Sequence, residues 1–337
     1  MARGKITIVF KKTTVGLNIG NSSIKVVELA RTGEEIELLQ FGMKDFNRAG
    51  GDEAIVSSLK TLFAERQISS PIVNTSVAGQ DVVVRYIYMP KMTKAELKSA
   101  VKYEAEKYIP HKIDDMILDF QILNPEANAA KMRIVLVAAK KDYIERHIRI
   151  LRDAGLSPKV IDVDSFAILN IFQLMQFTEN QTIAVMDIGS KITNIIIAGE
   201  HNLYLTRDVF IAGDDIRHIL SMKLGLTPEE LNAEAVDISY DKLFGSIKTV
   251  VDNLVNEVRI SFNFCEHQLE SPIKTIFLTG GASMLKCLNL YLAAALGMEV
   301  KLWNLFAKIA IKHELPQEKI NSLSSSLAVA LGLAIRG

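Results

Sequence analysis

The 337-residue chain has little cysteine and no net charge. Its two cysteines, Cys265 and Cys287, are too few for a disulfide framework, so we expect free thiols in a reducing cytoplasm. Lys and Arg together number 39, and so do Asp and Glu. A neutral chain gives no electrostatic reason to bind nucleic acid or anionic lipid over its surface as a whole.

Long apolar runs and targeting signals are missing too. No run approaches the roughly 18–20 apolar residues that a membrane span requires. The first residues, Met1–Gly4, carry no apolar signal block. No linker rich in Pro and Gly divides the chain. Because hydrophobic residues still make up 49%, we expect a globular cytoplasmic protein whose segments pack together.

The signatures of zinc hydrolases and Ser-His-Asp enzymes do not occur. The six histidines are scattered along the chain. No H-E-x-x-H or G-x-S-x-G sequence is present, so these reaction classes have no support.

Strand and helix patterns alternate along the chain. A predicted strand at Lys5–Phe10 begins the first segment. From 82 to 165 the order is strand, helix, strand, strand, helix, strand, which is that of a small split α+β unit. The following segment contains a hairpin and several helices, one of them predicted at 228–235, and a terminal helix is predicted from about Ser324.

A repeated hairpin is the strongest signal. Gly16–Ser23 and Val185–Ile192 each lead from an apolar strand through Asn/Asp-Ile-Gly into a polar turn. Glycine there permits positive φ and lets backbone N–H groups approach an anion closely. Further donors are Asn21, Ser22, Ser23, Ser190 and Thr193. One such turn is usually an ordinary hairpin, but two related copies favour a phosphate clamp.

The acidic position of the repeat is occupied differently in the two copies. Asn18 corresponds to Asp187. A carboxylate just before the turn suits Mg²⁺ held through water, since magnesium keeps several waters and prefers oxygen ligands.

A third element is Thr275–Ser283, a strand that ends in Gly280-Gly281 before a predicted helix. Residues without side chains would let an adenine or ribose lie against the backbone. The alternative is a tight strand-to-helix turn with Ser283 as the N-cap.

Taken in order, hairpin, hairpin and strand-Gly-Gly resemble the actin/Hsp70/sugar-kinase superfamily, and within it the PilM family of actin-like type IV pilus assembly proteins, relatives of the division protein FtsA. The resemblance spans nearly the whole chain. Its tracts are Gly16–Glu28, Glu104–Pro110, Arg133–Lys140, Val160–Phe166, Asp187–Ser190, Ile211–Gly213, Leu278–Ser283 and Ser326–Ala334.

The resemblance implies an α/β, actin-like (ribonuclease-H-like, duplicated) two-lobed fold with an inserted β-α-β-β-α-β subdomain. The first lobe would include 1–81, the insertion 82–165 and the second lobe 166–323. A C-terminal helix at 324–337 would return to the first lobe.

The resemblance also implies ATP and Mg²⁺ as ligands. Phosphate contacts would come from Asn18, Gly20, Asn21, Ser22, Ser23, Gly189 and Ser190. Asp187 would lie near the metal and Gly213 near the ribose. Adenosine contacts would come from Gly280, Gly281 and Ala282.

The partner implied by the resemblance is the cytoplasmic N-terminal peptide of a PilN-like membrane protein, bound in a groove of the inserted unit. Tyr103, Tyr108 and Ile109 are candidate contacts, with core packing as the alternative. FtsA relatives end in an amphipathic membrane helix, whereas this sequence stops at Ile335–Gly337. We therefore expect recruitment to the membrane through the partner, and homo-oligomerisation stays open.

One departure from the family pattern concerns catalysis. Asn18 stands where the first phosphate motif typically has Asp, so we expect nucleotide binding to survive and hydrolysis to be slow or absent. An FtsA-like function and a sugar-type kinase remain as alternatives. A kinase needs a carboxylate base beside the acceptor hydroxyl, for which the candidates are Asp162, Asp164, Asp208 and Asp214.

Overall fold

The computed structural model describes residues 12–123, 131–174, 181–199, 202–227, 239–269, 272–285, 288–312 and 315–336. The predicted strand Lys5–Phe10, the predicted helix at 228–235 and Cys287 lie outside these residues.

The strands, in chain order, are β1 Lys12–Ile19, β2 Ser23–Thr32, β3 Glu35–Asp45, β4 Ile72–Val77, β5 Val82–Pro90, β6 Met116–Ile122, β7 Lys131–Lys140, β8 Ser157–Val163, β9 Thr182–Ile188, β10 Thr193–Gly199, β11 Leu203–Val209, β12 Thr275–Thr279, β13 Glu299–Leu302 and β14 Ala310–Ile311. The α-helices are α1 Gly51–Glu65, α2 Lys94–Ala105, α3 Lys141–Asp153, α4 Asp164–Ile171, α5 Gly213–Leu224, α6 Tyr240–Cys265, α7 Leu288–Leu296, α8 Gln317–Leu323 and α9 Ala328–Ile335.

Helix α2 shows how local sequence sets these boundaries. The Thr93 hydroxyl accepts a hydrogen bond from the Glu96 backbone N–H, and the Glu96 carboxylate accepts one from the Thr93 N–H, forming a capping box. Leu97, Val101 and Ala105 recur at helical spacing and are buried. The helix therefore begins at its cap and is held by one apolar face.

Two sheets repeat the same strand arrangement. One has the order β14-β3-β2-β1-β4-β8 and the other β11-β10-β9-β12-β13. In the first, β1, β2 and β3 form an antiparallel meander, and β4 and β8 extend the sheet in parallel. In the second, β9, β10 and β11 form the meander, and β12 and β13 extend it. The fold is therefore a duplicated, two-lobed α/β architecture.

One apolar core joins the two lobes through helices α4 and α9. It includes Val27 and Leu38 from the first sheet and Val185 and Ile196 from the second. Helix α9 lies so close to α4 that a Cβ added at Gly332 would lie 1.8 Å from the Ala167 carbonyl oxygen.

The inserted subdomain has a sheet of its own. Its strand order is β5-β7-β6, and one face of that sheet packs on α2. The element order after Val82 is strand, helix, strand, strand, helix, strand, as predicted. The last strand of that series, β8, pairs instead with β4 of the first lobe, and α3 contributes Ile150 and Leu151 to the first-lobe core.

Side chains of the inserted sheet also hold it against the second lobe. The Arg133 guanidinium donates to the carbonyl oxygens of Leu203 and Tyr204, at 2.7 and 2.6 Å. The Tyr86 hydroxyl lies 2.9 Å from the Thr206 hydroxyl. Strand β11 therefore contacts the insertion directly.

No helix within the described ranges is long and apolar enough to cross a membrane. Cys265 is buried, and this burial raises the pKa of its thiol to about 11, which makes it a poor nucleophile.

Candidate functional site

The two predicted hairpins have the same geometry. In the first, Asn18 lies opposite Lys25; in the second, Asp187 lies opposite Asn194. Each turn is closed in the same way: the Gly20 N–H donates to the Ser23 carbonyl at 3.0 Å, and the matching bond of the second turn is 2.9 Å long. The sequence repeat is therefore also a repeat of strand register.

The glycines of the two turns lie in crowded positions and do not have positive φ. Neither Gly20 nor Gly189 is among the residues with positive φ, so the expected left-handed conformation is wrong. A Cβ at Gly20 would lie 3.2 Å from the Ser23 carbonyl oxygen and 3.3 Å from Lys25 Nζ. A Cβ at Gly189 would lie 2.9 Å from the Ile192 carbonyl oxygen. A side chain at Gly189 would force its turn to shift, and one at Gly20 would crowd its neighbours.

Not all predicted turn donors face the cleft. Ser23 is buried. The Thr193 hydroxyl donates to the Ile211 carbonyl at 2.7 Å and is used within the fold. Asn21 is exposed, and Ser22 and Ser190 are half-buried. The donors available to a ligand are thus at the tips of the turns.

A cluster of charged groups lies beneath the two turns. The Asn18 side-chain amide donates to Asp164 Oδ1 at 3.5 Å. The charges of Asp187 and Asp164 both act on the Lys25 ammonium, and the Asn194 amide donates to Asp187 Oδ2 at 3.2 Å. The two hairpins and the start of α4 therefore place two amides, one ammonium and two carboxylates together.

Burial dominates the ionisation of this cluster. Burial and, second to it, the neighbouring charge of Asp164 raise the pKa of Asp187 to about 6. Burial also raises the pKa of Asp164 and lowers the pKa of Lys25, against the opposing effect of the carboxylates. A cation or an additional donor would stabilise the charged carboxylates.

Sequence reasoning missed Lys25 and treated Asp164 only as a kinase alternative. The signal for Lys25 lay in the repeat, because Lys25 follows Asn18 at the interval at which Asn194 follows Asp187. Asp164 gave no comparable signal, since its place beside Asn18 depends on how β8 and α4 pack.

Gly213 joins the second hairpin to the N-terminus of α5. Its N–H donates to the Gly189 carbonyl at 3.0 Å, and the Asp214 N–H donates to the Ser190 carbonyl at 2.7 Å. A Cβ at Gly213 would lie 2.7 Å from the Ala282 Cβ. The predicted ribose and adenosine residues therefore meet beside the second turn.

The strand-Gly-Gly element requires glycine at one position. Gly280 has a φ of 89°, and a Cβ there would lie 2.4 Å from the Ile188 carbonyl oxygen. Ser283 is not the N-cap of the next helix: its hydroxyl donates to the Gly280 carbonyl at 2.7 Å, and α7 begins only at Leu288. Gly281 is exposed, which leaves room above this turn.

The carboxylates considered for a kinase have separate partners. Asp162 pairs with Arg336, and Asp214 pairs with Arg217 at 2.6 Å. Asp208 accepts a hydrogen bond from the Gly79 N–H at 3.2 Å, and burial raises the pKa of its carboxyl to about 6. Of these four carboxylates, that of Asp164 is the one that accepts a hydrogen bond from Asn18 of the first hairpin.

A large groove with a mixed polar and apolar lining lies on the other side of the inserted sheet. Its volume is about 1310 Å³. One wall is the face of β6 and β7 that carries Ile117, Val135 and Val137; the opposite wall includes Ile161 and Phe166 from β8 and α4. Both β6 and β8 are edge strands, so each presents backbone groups that another strand could pair with.

The three residues predicted to contact a partner peptide lie outside this groove. Ile109 is buried in the core of the insertion. Tyr103 and Tyr108 are 74% and 41% exposed, and none of the three lines the groove.

Comparison with known proteins gives one family match and several structural matches. The family model of the type IV pilus assembly protein PilM matches residues 16–337. A chain of the solved PilM-PilN type IV pilus biogenesis complex is 28% identical, covers 96% of this chain and 98% of its own length, and superposes with a TM-score of 0.85.

Two more distant structures show the fold alone. The ethanolamine utilization protein EutJ from Carboxydothermus hydrogenoformans has a TM-score of 0.53 at 15% identity over 97% of this chain and 90% of its own. A Bacteroides thetaiotaomicron protein described as having an actin-like ATPase fold and unknown function has a TM-score of 0.50 at 11% identity, over 87% and 91%. The architecture is therefore actin-like.

Proposed function

The chain belongs to the family of type IV pilus assembly protein PilM, and from this premise we propose that it is an ATP-binding adaptor of a pilus assembly platform. Its partner is the N-terminal peptide of a PilN-like membrane protein, which recruits it to the cytoplasmic face of the membrane. The PilM-PilN complex is the structural relative that supports this partner.

The nucleotide site is proposed for the space between the two hairpins. The observation that carries it is their shared register, with Gly213, Gly280 and Ala282 packed beside the second turn. The residues fit an anionic ligand, because the tight glycine turns leave room for phosphate and Lys25 supplies a positive charge below them. Adenosine fits the open side at Gly281.

A magnesium ion fits the same site only through water. No group of three His, Cys, Asp or Glu side chains close enough to hold a metal occurs in the part of the chain that the structure describes. Asp187 is the carboxylate of the second hairpin, and a hydrated Mg²⁺ beside it would neutralise charge on the phosphates. Asn18 supplies an amide where a second carboxylate would strengthen that interaction, so hydrolysis is slow.

The partner peptide fits the groove that the insertion forms with the two lobes. Its volume of about 1310 Å³ exceeds the roughly 300–1,000 Å³ of small-molecule sites. An extended peptide would add its backbone to the edge of β6 or β8 and place alternate side chains against Val137 and Ile161.

The junction between β8 and α4 connects the groove to the nucleotide site. Asp162 and Val163 line the groove. Asp164, the next residue, accepts the hydrogen bond from Asn18. A shift of this junction on closure of the nucleotide cleft changes both sites together, which is the basis for coupling ATP to peptide binding.

Calorimetry with Mg-ATP and two alanine variants tests the nucleotide site. Gly213→Ala places a methyl group against Ala282 and the Gly189 carbonyl and weakens ATP binding. Gly245→Ala is the matched control, since a Cβ there meets nothing within 4 Å. Equal ATP affinity of both variants, with unchanged melting temperatures, would contradict the assignment of Gly213.

Titration with a PilN-like N-terminal peptide tests the groove. Val137→Asp places a charge on the apolar wall of the groove and abolishes peptide binding, because burying an unpaired charge there is costly. The rest of the binding surface is unchanged. Tyr103→Ala, on the exposed outer surface of α2, leaves peptide binding unchanged. The opposite pattern would move the peptide site to the predicted tyrosines.

A further inference from the structure

Arg48 reaches across the cleft between the two hairpins. Its guanidinium donates to the Asn21 carbonyl in the first turn. It also donates to the Ser190 hydroxyl in the second turn and to Asp214 Oδ2 at the start of α5, each at 3.1 Å. A single side chain of the first lobe therefore contacts both turns and the neighbouring helix of the second lobe.

Local structure holds Arg48 in this position. The Phe46 N–H donates to the Ser22 carbonyl at 3.2 Å, which joins the end of β3 to the first turn. The Asn47 side chain then accepts from the Ala49 N–H and starts the short 3₁₀ turn Arg48–Gly50. These backbone contacts place Arg48 beside the first turn.

The present partners of Arg48 are easily exchanged. The side chains of Arg48 and Asp214 are each 37% exposed, and an exposed ion pair is weak because water competes for both charges. Asp214 also has a second partner, Arg217, at 2.6 Å, so it stays paired when Arg48 leaves. A phosphate group offers the planar guanidinium two parallel charge-assisted hydrogen bonds.

We propose that Arg48 is a ligand for the outer phosphates of the nucleotide, and that its bonds to Ser190 and Asp214 hold the two turns together when no phosphate is present. This rests on the proposed ATP site and names a residue and a regulatory contact that complete it. On binding, Arg48 exchanges the Ser190 hydroxyl and Asp214 for phosphate oxygens while the first turn keeps it in place.

A purely structural role for Arg48 gives the opposite result. If the bonds to Ser190 and Asp214 only closed the cleft, the nucleotide would have to break them, and their removal would leave ATP affinity unchanged or higher. The sign of the change in ATP affinity therefore distinguishes a phosphate ligand from a residue that only holds the cleft closed.

Calorimetry compares Mg-ATP and AMP binding to wild type, Arg48→Ala and Arg48→Lys. For a phosphate ligand, Arg48→Ala weakens Mg-ATP binding about ten- to a hundredfold, as expected for lost charge-assisted hydrogen bonds, and leaves AMP binding unchanged. Arg48→Lys keeps the positive charge but not the planar fork of donors, so its Mg-ATP affinity lies between those of wild type and Arg48→Ala. Arg146→Ala is the control, because Arg146 makes a similar exposed pair with Asp52 outside the cleft and its loss leaves ATP affinity unchanged.

A double-mutant cycle with Asp214→Asn supplies an independent measure. Asp214→Asn frees Arg48 for phosphate and tightens Mg-ATP binding. That gain disappears in the Arg48→Ala background if it acts through Arg48, and persists if Asp214 only repels the phosphates. A persisting gain, or an Arg48→Ala variant that binds Mg-ATP as tightly as wild type, overturns the inference. Failure of the wild-type protein to bind Mg-ATP at all overturns the proposed function instead.

Discussion

Replacing Asn18 with Asp adds a third carboxylate to the charged cluster. The Asn18 amide nitrogen lies 3.5 Å from Asp164 Oδ1. Two unit charges at that distance repel by about 1–5 kcal/mol for effective dielectric constants between roughly 80 and 20. At ~2.1 cal/mol/K of unfolding entropy per residue, this destabilisation lowers the melting temperature of a chain of this length by about 2–7 °C. Lys25 lies opposite residue 18, and its positive charge partly offsets the repulsion, so we expect a fall in melting temperature toward the lower end of this range.

The assay is thermal unfolding of wild type and Asn18→Asp in metal-free buffer between pH 4 and 8. Repulsion raises the pKa of the new carboxyl, so the folded state holds its proton to higher pH than the unfolded state. The loss of stability is therefore complete at pH 8 and disappears toward pH 4. Added Mg²⁺ restores part of the lost stability of Asn18→Asp.

Asn253→Asp, the same substitution at an exposed position of α6, controls for the added charge and leaves the melting temperature unchanged. Equal melting of Asn18→Asp and wild type at pH 8 without metal would refute the cluster as described.

Three further changes test other parts of the structure by thermal or urea unfolding. Burial raises the pKa of Asp187 to about 6, so the wild-type protein loses stability as pH rises from about 4 to 6. The Asp187→Asn variant is therefore more stable than wild type at pH 8, by up to roughly 3 kcal/mol. A stability difference that does not change with pH would contradict this. Gly332→Ala drives a Cβ against the Ala167 carbonyl and costs about 3 kcal/mol or more, whereas a neutral effect would show that α9 is not tightly packed. Tyr86→Phe removes the hydrogen bond to Thr206 and costs about 0.5–1.5 kcal/mol; an unchanged midpoint would mean that the insertion is not held there.

The duplicated fold was accessible from the sequence because its repeat is local. Asn18-Ile19-Gly20 and Asp187-Ile188-Gly189 each contain a strand end and the start of a turn, so a short stretch of sequence specifies each hairpin. The partner of β8 was not accessible. Its sequence shows a strand whichever sheet it joins, and pairing with β4 depends on tertiary contacts between distant segments.

The candidate site residues that the sequence singled out include positions where backbone geometry limits the residue type. Gly213 and Gly280 lie where a Cβ would collide with other segments, so these positions favour glycine, and this preference can be read from the sequence. Charged residues give a weaker signal in the sequence. Lys25 in a strand and Asp164 in the first turn of a helix are ordinary surface choices, and only the packing of the lobes brings them beside Asn18.

Calorimetric titration of the PilN-like peptide, with and without saturating Mg-ATP, tests the central claim most directly. The junction of β8 and α4 contacts both proposed sites, so we expect ATP to change peptide affinity by a factor in the range of about 5–150 that typical coupling energies give. By linkage, the peptide changes ATP affinity by the same factor. Peptide and Mg-ATP affinities that are each unaffected by the other ligand would contradict the account.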